Sequence, residues 1–200
     1  MTMTSVIHTQ ILESIAVKKA VSNSQLIIQQ IENLSVICLD SLRAGGKIIF
    51  AGNGGSFADA QHLSAEFVSR FMFDRAPLPS IALGTNNSSI SAIGNDYGYE
   101  QIFARELAAM ACTRDVFIPI STSGNSPNII AAVEVAKKNN IRTLVFTGEK
   151  GGKLKSISEC ICVPSSDTAR IQECHIMLGH IVCGLVESSF FNKEVRHEGA

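Results

Sequence analysis

The chain has 200 residues, 46% hydrophobic and 18% charged, which is enough for a single α/β domain with a large core. Seventeen basic and eighteen acidic residues give a formal net charge of -1, with no basic run and only 6% aromatic residues. This balance argues against nucleic acid or an anionic membrane as a partner.

Two further features indicate a protein in solution. The first basic residue is Lys18, so the positively charged start of a signal peptide is missing. The most apolar run, residues 176–186, contains His180 and is shorter than the roughly 18 residues that a membrane span needs. We therefore expect a soluble, cytoplasmic protein with no membrane partner.

Residues 1–45 are predicted to form two helices, because their apolar residues recur at helical spacing. The first stripe consists of Ile7, Ile11, Leu12 and Ile15, and the second of Ile27, Ile31, Leu34, Cys38 and Leu42. Apolar faces this regular need a cover. A neighbouring subunit and the chain's own domain are both candidates, and the sequence leaves the choice open.

From residue 46 to residue 191, strand and helix patterns alternate. Strands are predicted near residues 47–51, 80–84, 115–120, 142–147 and 160–163, and helices near residues 56–71, 98–111, 127–138 and 168–191. Alternation with short connections predicts an α/β fold with a five-stranded parallel sheet covered by helices on both faces. The last residues, 192–200, are polar and are expected to form a tail.

A hydroxyl-rich turn, Ser121-Thr122-Ser123-Gly124-Asn125-Ser126, follows the third strand and leads into a helix. Ser126 is a good N-cap, and Pro127 suits the first helical position. Free backbone N–H groups, the positive end of the helix dipole and the hydroxyl groups together predict a phosphate site. Taken alone, the same pattern also fits an ordinary capped turn.

A second turn of this kind, Gly52-Asn53-Gly54-Gly55, follows the first strand, and Ser56 is predicted to cap the next helix. Both turns should lie at the carboxyl edge of the sheet, together with residues 85–89. Phe57 stands where a dinucleotide fingerprint requires glycine, so a nicotinamide site is rejected. Residues 148–154 are also rejected as a P-loop, because Leu154 replaces its Ser or Thr.

Two predicted helices carry residues that could do chemistry. His62 and Glu66 are four residues apart and share one helix face, so they could bind a metal ion or simply form a polar pair. His180 lies in an almost wholly apolar helix, with Gln172 two turns earlier on a nearby face. His180 is therefore either a core residue whose hydrogen bonds are satisfied within the protein or a functional residue. His175, on another face, is given no role.

Five motifs in this order resemble the sugar isomerase (SIS) domain family, and within it the phosphoheptose isomerases. They are Gly52-Asn53-Gly54-Gly55-Ser56, Asp59-Ala60-Gln61-His62 with Glu66, Gly94-Asn95-Asp96, residues 121–126, and Arg170-Ile171-Gln172-Glu173 with His180. The resemblance covers essentially the whole chain. It implies one SIS domain of the flavodoxin-like, three-layer type, with residues 1–45 serving oligomerisation.

The resemblance also implies an activity, the conversion of sedoheptulose 7-phosphate to D-glycero-D-manno-heptose 7-phosphate in heptose biosynthesis. It further implies a homotetramer with active sites between subunits and one Zn²⁺ per subunit, held by His62, Glu66, Gln172 and His180. The implied substrate-binding residues are Asn53, Gly54, Gly55, Glu66, Asn95, Asp96, Ser121, Thr122, Ser123, Ser126 and Gln172. Two positions depart from the family pattern: Phe57, where a small residue or histidine is expected, and Asn86, where aspartate is common.

Moving a carbonyl between C2 and C1 needs an acid/base group for the carbon proton and another for the oxygen protons. Glu66 is the candidate for the carbon proton and His180 for the oxygen protons. The alternative is a non-catalytic SIS protein that binds a phosphosugar or associates with the replication initiator. Such relatives share the glycine and serine turns but differ at the acid and base positions.

Overall fold

The computed structural model describes residues 2–193. Its strands are β1 (Ile48–Ala51), β2 (Ser80–Ala82), β3 (Val116–Ser121), β4 (Arg142–Gly148) and β5 (Glu159–Val163). They form one parallel sheet in the order β2-β1-β3-β4-β5. This is the flavodoxin-like strand order, so the predicted fold class is confirmed. Residues 194–200 of the predicted tail lie outside the described residues.

Helices cover both faces of the sheet. They are α1 (Met3–Ser22), α2 (Gln25–Arg43), α3 (Gly55–Val68), α4 (Asn87–Tyr97), α5 (Ile102–Met110), α6 (Pro127–Lys138) and α7 (Thr168–Phe190). Short 3-10 turns lie at Tyr99–Gln101 and Lys153–Ser156. The lengths of α2, α3, α6 and α7 follow the apolar periodicity of the sequence closely.

The core is divided in two by the sheet, because successive strand residues point to opposite faces. In β1, Ile48 and Phe50 pack under α2, α3 and α7, whereas Ile49 and Ala51 pack under α5 and α6. All residues of β1 and β3 are buried. A strand buried on both faces reads as a continuous apolar run, which is why these two strands were easy to predict.

Three local predictions were wrong. The predicted helices did not include α4, which follows residues 85–86 and which Asn86 caps by accepting bonds from the backbone N–H groups of Ser88 and Ser89. The helix predicted near residues 98–111 begins only at Ile102, after a 3-10 turn. Ser56 does not cap α3, because the helix already begins at Gly55. Serine and asparagine serve equally in turns and in caps, which explains the first error.

The two N-terminal helices differ in what covers them. The apolar stripe of α2 packs into the core, where Leu34 and Cys38 are fully buried. The stripe of α1 does not, since Ile7 and Ile11 are 61% and 54% exposed. Only Val21 of α1 is buried among the described residues. None of the helices formed by residues 2–193 combines the length and apolarity that a membrane crossing requires.

His175 is a core residue in α7 with an exposure of 0%. Its Nε2 donates a hydrogen bond to the carbonyl oxygen of Thr147 at 3.1 Å, and its ring lies beside Phe146. Burial disfavours the imidazolium and lowers the pKa of His175 to about 4, although the bond to Thr147 opposes this shift. His175 is therefore a neutral structural residue.

We expect the free energy of unfolding to decrease as the pH falls from 6.5 to about 4, because the unfolded chain binds a proton that folded His175 excludes. The contribution of this one group reaches ~3 kcal/mol at the acidic end. The variant His175→Gln can keep the bond to Thr147 but cannot titrate. Urea unfolding of both proteins at several pH values measures the effect, and equal pH dependence in the two would contradict it.

Candidate active site

The candidate site lies at the carboxyl edge of the sheet, between β1 and β3. From these two neighbouring strands the chain turns to opposite sides, because β2 lies beyond β1 and β4 beyond β3. Ligands of open α/β sheets bind in the crevice at such a switch point. Residues 52–55 and 121–126 both border this crevice, as predicted, since they directly follow β1 and β3.

The serine turn has a defined shape. Ser126 is the N-cap of α6 and Pro127 its first helical residue, as predicted. The hydroxyl of Ser126 makes no capping bond but lies 3.0 Å from the hydroxyl of Ser121. Ser123 is exposed, and its hydroxyl accepts a bond from the backbone N–H of Asn125 at 3.1 Å. Hydroxyl groups and the start of α6 therefore face the same space, which suits an anion.

The segment that resembled a P-loop supports this turn from outside. The backbone N–H of Lys153 donates to the side-chain oxygen of Asn125 at 3.0 Å, and that of Leu154 donates to the carbonyl oxygen of Gly124 at 3.1 Å. On the inner side, the N–H of Gly148 donates to the carbonyl oxygen of Thr122 at 3.0 Å. These bonds fix the backbone of the turn without using the hydroxyl groups of Ser123 and Ser126.

A pair of carboxamides connects the two turns. Asn53 Nδ2 donates to Asn128 Oδ1 at 2.9 Å, and Asn128 Nδ2 donates to Asn53 Oδ1 at 2.8 Å. Asn128 belongs to the first turn of α6 and is 3% exposed. The hydroxyl of Tyr99 also lies 3.3 Å from Asn53 Oδ1. Sequence reasoning missed Asn128, because nothing distinguishes it from an ordinary residue near a helix start.

His62, Glu66 and His180 come together although they lie on two helices that are distant in sequence. His62 Nε2 is 3.1 Å from Glu66 Oε1 and 2.8 Å from His180 Nε2. The candidate donor atoms of the three side chains all lie within 4.8 Å of one another. Glu66 has a side-chain exposure of 19%, against 50% for His62. We call this cluster the triad.

Close packing of α3 on α7 produces the triad. Leu63 follows His62, Gly179 precedes His180, and a Cβ on Gly179 would lie 2.5 Å from Leu63 Cδ1. A side chain at position 179 would therefore require the Leu63 side chain to move. On the other side, the ring of Phe71 stacks on the imidazole of His180, with centroids 5.4 Å apart at an angle of 17°. His180 is thus held between α3 and the segment that follows it.

The remaining predicted residues are placed as follows. The amide of Gln172 packs against the start of α3, where a Cβ on Gly55 would lie 2.8 Å from its Nε2. Gln172 therefore lies at the glycine turn and on the same helix as His180. Asn95 and Asp96 are exposed on α4, where they bond to each other at 2.8 Å. No residue of α4 is buried within residues 2–193.

A buried ion pair between Arg75 and Glu187 holds the end of α3. The carboxylate of Glu187, with 1% exposure, accepts bonds from Arg75 Nε at 2.8 Å and from the backbone N–H groups of Phe71 and Met72 at 2.9 and 2.7 Å. The guanidinium of Arg75 donates to the carbonyl oxygens of Glu66 and Phe67, each at 2.7 Å. These carbonyls lack helical partners at the C-terminus of α3. The pair therefore orients both Glu66 and Phe71.

Sequence reasoning also missed this pair, although one signal was present. A glutamate in the apolar second half of α7 is expected to need a buried partner. The partner itself, Arg75, lies in an irregular segment and carries no pattern. Its position is set only when α3 and α7 pack together.

Burial shifts the pKa of His180, which belongs to the triad, and of Asp59. The pKa of His180 is lowered by desolvation and by the proximity of His62, while Glu66 acts in the opposite direction. Desolvation raises the pKa of Asp59 to about 6, against the influence of His62. Asp59 belongs to one of the five motifs but received no role, and its Oδ2 has no hydrogen-bond partner among the described residues. His180 therefore favours the neutral form, which can accept a proton.

The triad is chemically suited to a zinc ion. Two imidazole nitrogens and a carboxylate oxygen are the donors that zinc takes in catalytic sites, where three protein ligands leave a position open. The donor atoms converge within the 4.8 Å given above. Gln172, the fourth residue of the expected set, lies against Gly55 at the start of α3. The side chains present therefore fit the expected metal.

Comparison with known proteins identifies the family. A family model described as the SIS domain matches residues 13–148. A phosphoheptose isomerase of Aneurinibacillus thermoaerophilus is 49% identical over 193 residues, which are 96% of this chain and 98% of the relative. This chain belongs to the phosphoheptose isomerases of the SIS-domain family.

Solved structures of the same family agree with this assignment. The phosphoheptose isomerase of Francisella tularensis has a TM-score of 0.88 at 34% identity, covering 94% of this chain and 100% of that one. The enzyme of Neisseria gonorrhoeae has a TM-score of 0.85 at 36% identity, with coverages of 92% and 99%. The fold expected of a SIS domain is therefore present in full.

The two departures from the SIS pattern have local explanations. Phe57 fills space beside Gly84, where a Cβ would meet its ring at 3.2 Å, so it packs against the turn after β2. Asn86 caps α4 through its side-chain oxygen, which an aspartate could do equally well. Among residues 2–193, no hydrogen bond connects Phe57 or Asn86 to the triad.

Replacing Glu187 by Gln should lower the free energy of unfolding by about 3 kcal/mol, because it leaves the buried guanidinium of Arg75 without a charged partner. The matched control is Glu134→Gln, at an exposed position of α6, which should cost less than about 1 kcal/mol. Urea unfolding at neutral pH measures both. Equal losses would show that the Arg75–Glu187 pair does not hold the end of α3.

Proposed function

We propose that this chain is an aldose–ketose isomerase that converts D-sedoheptulose 7-phosphate to D-glycero-D-manno-heptose 7-phosphate. The triad carries the proposal, since it places a partly buried carboxylate next to two imidazoles where α3 packs on α7. Membership of the phosphoheptose isomerases supports the choice of substrate. We further propose a cytoplasmic protein acting at the first step of nucleotide-activated heptose biosynthesis, which leads to lipopolysaccharide.

In the proposed mechanism, Glu66 removes the proton from C1 of the ketose and returns it to C2 through an enediolate. His180 moves the proton between the two oxygens, a step for which an imidazole is suitable. The stacked ring of Phe71 and the contact with His62 fix the imidazole in one orientation. Each positioned acid/base group typically contributes about 10²- to 10⁴-fold in rate.

The proposed binding residues divide between the two ends of the substrate. Ser121, Thr122, Ser123 and Ser126 are assigned to the phosphate, together with the start of α6. Asn53, Gly54 and Gly55 line the crevice beside them, and Gln172 packs on this turn. Asn95 and Asp96 on α4 are assigned to sugar hydroxyls. Holding the phosphate fixes the distance of C1 and C2 from Glu66, which is positional catalysis.

One zinc ion per subunit is proposed, held by His62, Glu66, Gln172 and His180. When bound, zinc would polarise the carbonyl and stabilise negative charge on the reacting oxygens. The protein's part is to keep the two imidazole nitrogens and the carboxylate in one place. Glu66 has two carboxylate oxygens, and Oε1 is the one that contacts His62.

We also propose a homotetramer with active sites between subunits. The chain would be one SIS domain, in which residues 1–45 serve assembly, residues 46–191 form the α/β core and residues 192–200 form a tail. The exposed stripe of α1 supports this, as does a groove of about 900 Å³ between α1, α2 and α7 that includes Ile15, Ile28 and Ile181. Apolar surface of this extent normally has a partner. The lack of buried residues in α4 suggests that a neighbour covers it near Asn95.

The second candidate is a non-catalytic SIS protein that binds a phosphosugar or acts as a scaffold. Such a protein needs the two turns but has no use for a triad. The three side chains converge within 4.8 Å and are oriented by buried contacts, so the isomerase is favoured.

Glu66→Gln and His180→Gln should each lower kcat for sedoheptulose 7-phosphate at least about a hundredfold, because each removes a positioned acid/base group. Aldose formation by the purified protein measures this, with and without a chelator, and a chelator should also reduce kcat. Full activity in either variant would remove that residue from the mechanism. No aldose from the wild-type protein would reject the proposed substrate.

Ser123→Ala is the matched comparison for these variants, because Ser123 is assigned to the phosphate and not to proton transfer. Its main effect should be a higher KM with a smaller change in kcat. All variants must keep the unfolding midpoint of the wild-type protein for the comparison to be valid. An unchanged KM would argue against the phosphate assignment of the serine turn.

The assembly is tested by Ile11→Asp, which puts a charge into the exposed stripe of α1. The variant should sediment at a lower mass than the wild-type protein, because a buried unpaired carboxylate weakens an interface. Thr9→Asp adds the same charge to the opposite face of α1 and should leave the mass unchanged. If Ile11→Asp also keeps the wild-type mass, the α1 stripe is not part of the interface.

A further inference from the structure

Asn128 is a buried polar residue to which the proposed mechanism assigns no role. It lies one position after Pro127 and is 3% exposed, so its carboxamide must find hydrogen-bond partners within the protein. Its side chain bonds to Asn53 in both directions, at 2.9 and 2.8 Å. Asn53 is the first polar side chain of the glycine turn and is only half-buried.

The pair spans the crevice at the switch point. Asn53 follows β1 and leads into α3, whose buried residues pack on one face of the sheet. Asn128 follows β3 and lies in α6, whose buried residues pack on the other face. The two carboxamides therefore join the two halves of the site across the position where a ligand is expected.

Counting the hydrogen bonds of Asn53 shows what the pair leaves free. A carboxamide has two N–H groups and an oxygen with two lone pairs. Asn128 takes one N–H and one lone pair, and the hydroxyl of Tyr99 lies 3.3 Å from the same oxygen and can take the second lone pair. One N–H of Asn53 then remains. Asn53 can therefore offer a donor to an incoming ligand but has no acceptor left.

We propose that Asn128 is a positioning residue, which fixes the carboxamide of Asn53 so that its free N–H points to an oxygen of the sugar phosphate. This inference rests on the proposed function, because Asn53 is one of its ligand contacts. Without Asn128 the amide of Asn53 can rotate and present its oxygen instead, which repels a negatively charged or lone-pair-bearing oxygen. Asn128 itself touches no substrate.

A purely structural role for Asn128 predicts a different result. If the pair only joins the two turns, its loss disturbs the serine turn as well as Asn53. Part of the loss would then run through the serine turn and would shrink in the Ser123→Ala background. A positioning role predicts the full loss in the Ser123→Ala background and almost none in the Asn53→Ala background, since residues that act through one another are not additive.

The experiment measures kcat/KM for sedoheptulose 7-phosphate in the wild-type protein, Asn53→Ala, Ser123→Ala, Asn128→Ala and the two double variants that combine Asn128→Ala with one of the other substitutions. Asn128→Ala should lower kcat/KM about tenfold in the wild-type background, as expected for one misplaced hydrogen bond, and by less than about twofold in the Asn53→Ala background. Asn139→Ala, at the exposed end of the same helix, is the control and should keep the wild-type value. If Asn128→Ala does not fold, Asn128→Ser replaces it, because a hydroxyl is too short to hold both atoms of Asn53.

Four results would overturn the inference: no loss in Asn128→Ala, no loss in Asn53→Ala, the same loss from Asn128→Ala in the wild-type and Asn53→Ala backgrounds, or a smaller loss from Asn128→Ala in the Ser123→Ala background. If the wild-type protein binds sedoheptulose 7-phosphate without converting it, the proposed function fails, and the same cycle is read from the Kd in calorimetry. Absence of both binding and turnover in the wild-type protein would overturn the inference together with the function.

Discussion

The close approach of α3 and α7 is the contact on which the candidate site depends. At the point of contact Gly179 lies against Leu63, and the residues next to them, His180 and His62, meet at 2.8 Å. A larger residue at position 179 would displace the buried side chain of Leu63, next to His62, or push the two helices apart. Protein interiors are packed densely enough that such a separation is not absorbed locally. The chemistry at the triad therefore follows from a packing feature of the core.

Buried polar groups then fix what the packing brings together. The Arg75–Glu187 pair holds the end of α3 and the segment containing Phe71, which in turn covers His180. The Asn53–Asn128 pair joins the turns after β1 and β3 across the crevice. Arg75, Glu187 and Asn128 are buried, so breaking either pair leaves a polar group without a partner and is costly. They make the site rigid before any ligand arrives.

Two surfaces, one on α1 and one on α4, are not buried by other described residues of the chain. The stripe of α1 is exposed along its length, and α4 has no buried residue in the described chain. α4 also carries Asn95 and Asp96, which belong to the proposed binding residues. In the proposed assembly both surfaces would be buried by other subunits. This arrangement would join oligomerisation to completion of the active site.

The sequence predicted the α/β fold, the parallel sheet and four of the long helices, because apolar periodicity and turn residues act locally. It also named His62, Glu66 and His180 as candidates for chemistry, His180 because its helix is otherwise apolar and all three because their motifs resemble the SIS family. It did not predict α4, because Ser and Asn at positions 86–89 suit a cap and a turn equally well. It left open what covers α1 and α2, and the structure answered differently for each helix.

Only the tertiary structure decided which of the candidate residues meet. The spacing of His62 and Glu66 places them on one face of a helix, but no local sequence pattern predicts how far that face lies from His180. Asn128, Arg75 and Glu187 acquire their roles from partners that are between 75 and 112 residues away in the chain. Local patterns report the periodicity of single elements, whereas the distance between elements is set by how their side chains interlock. That is why the residue types of the site were evident from the sequence and its geometry was not.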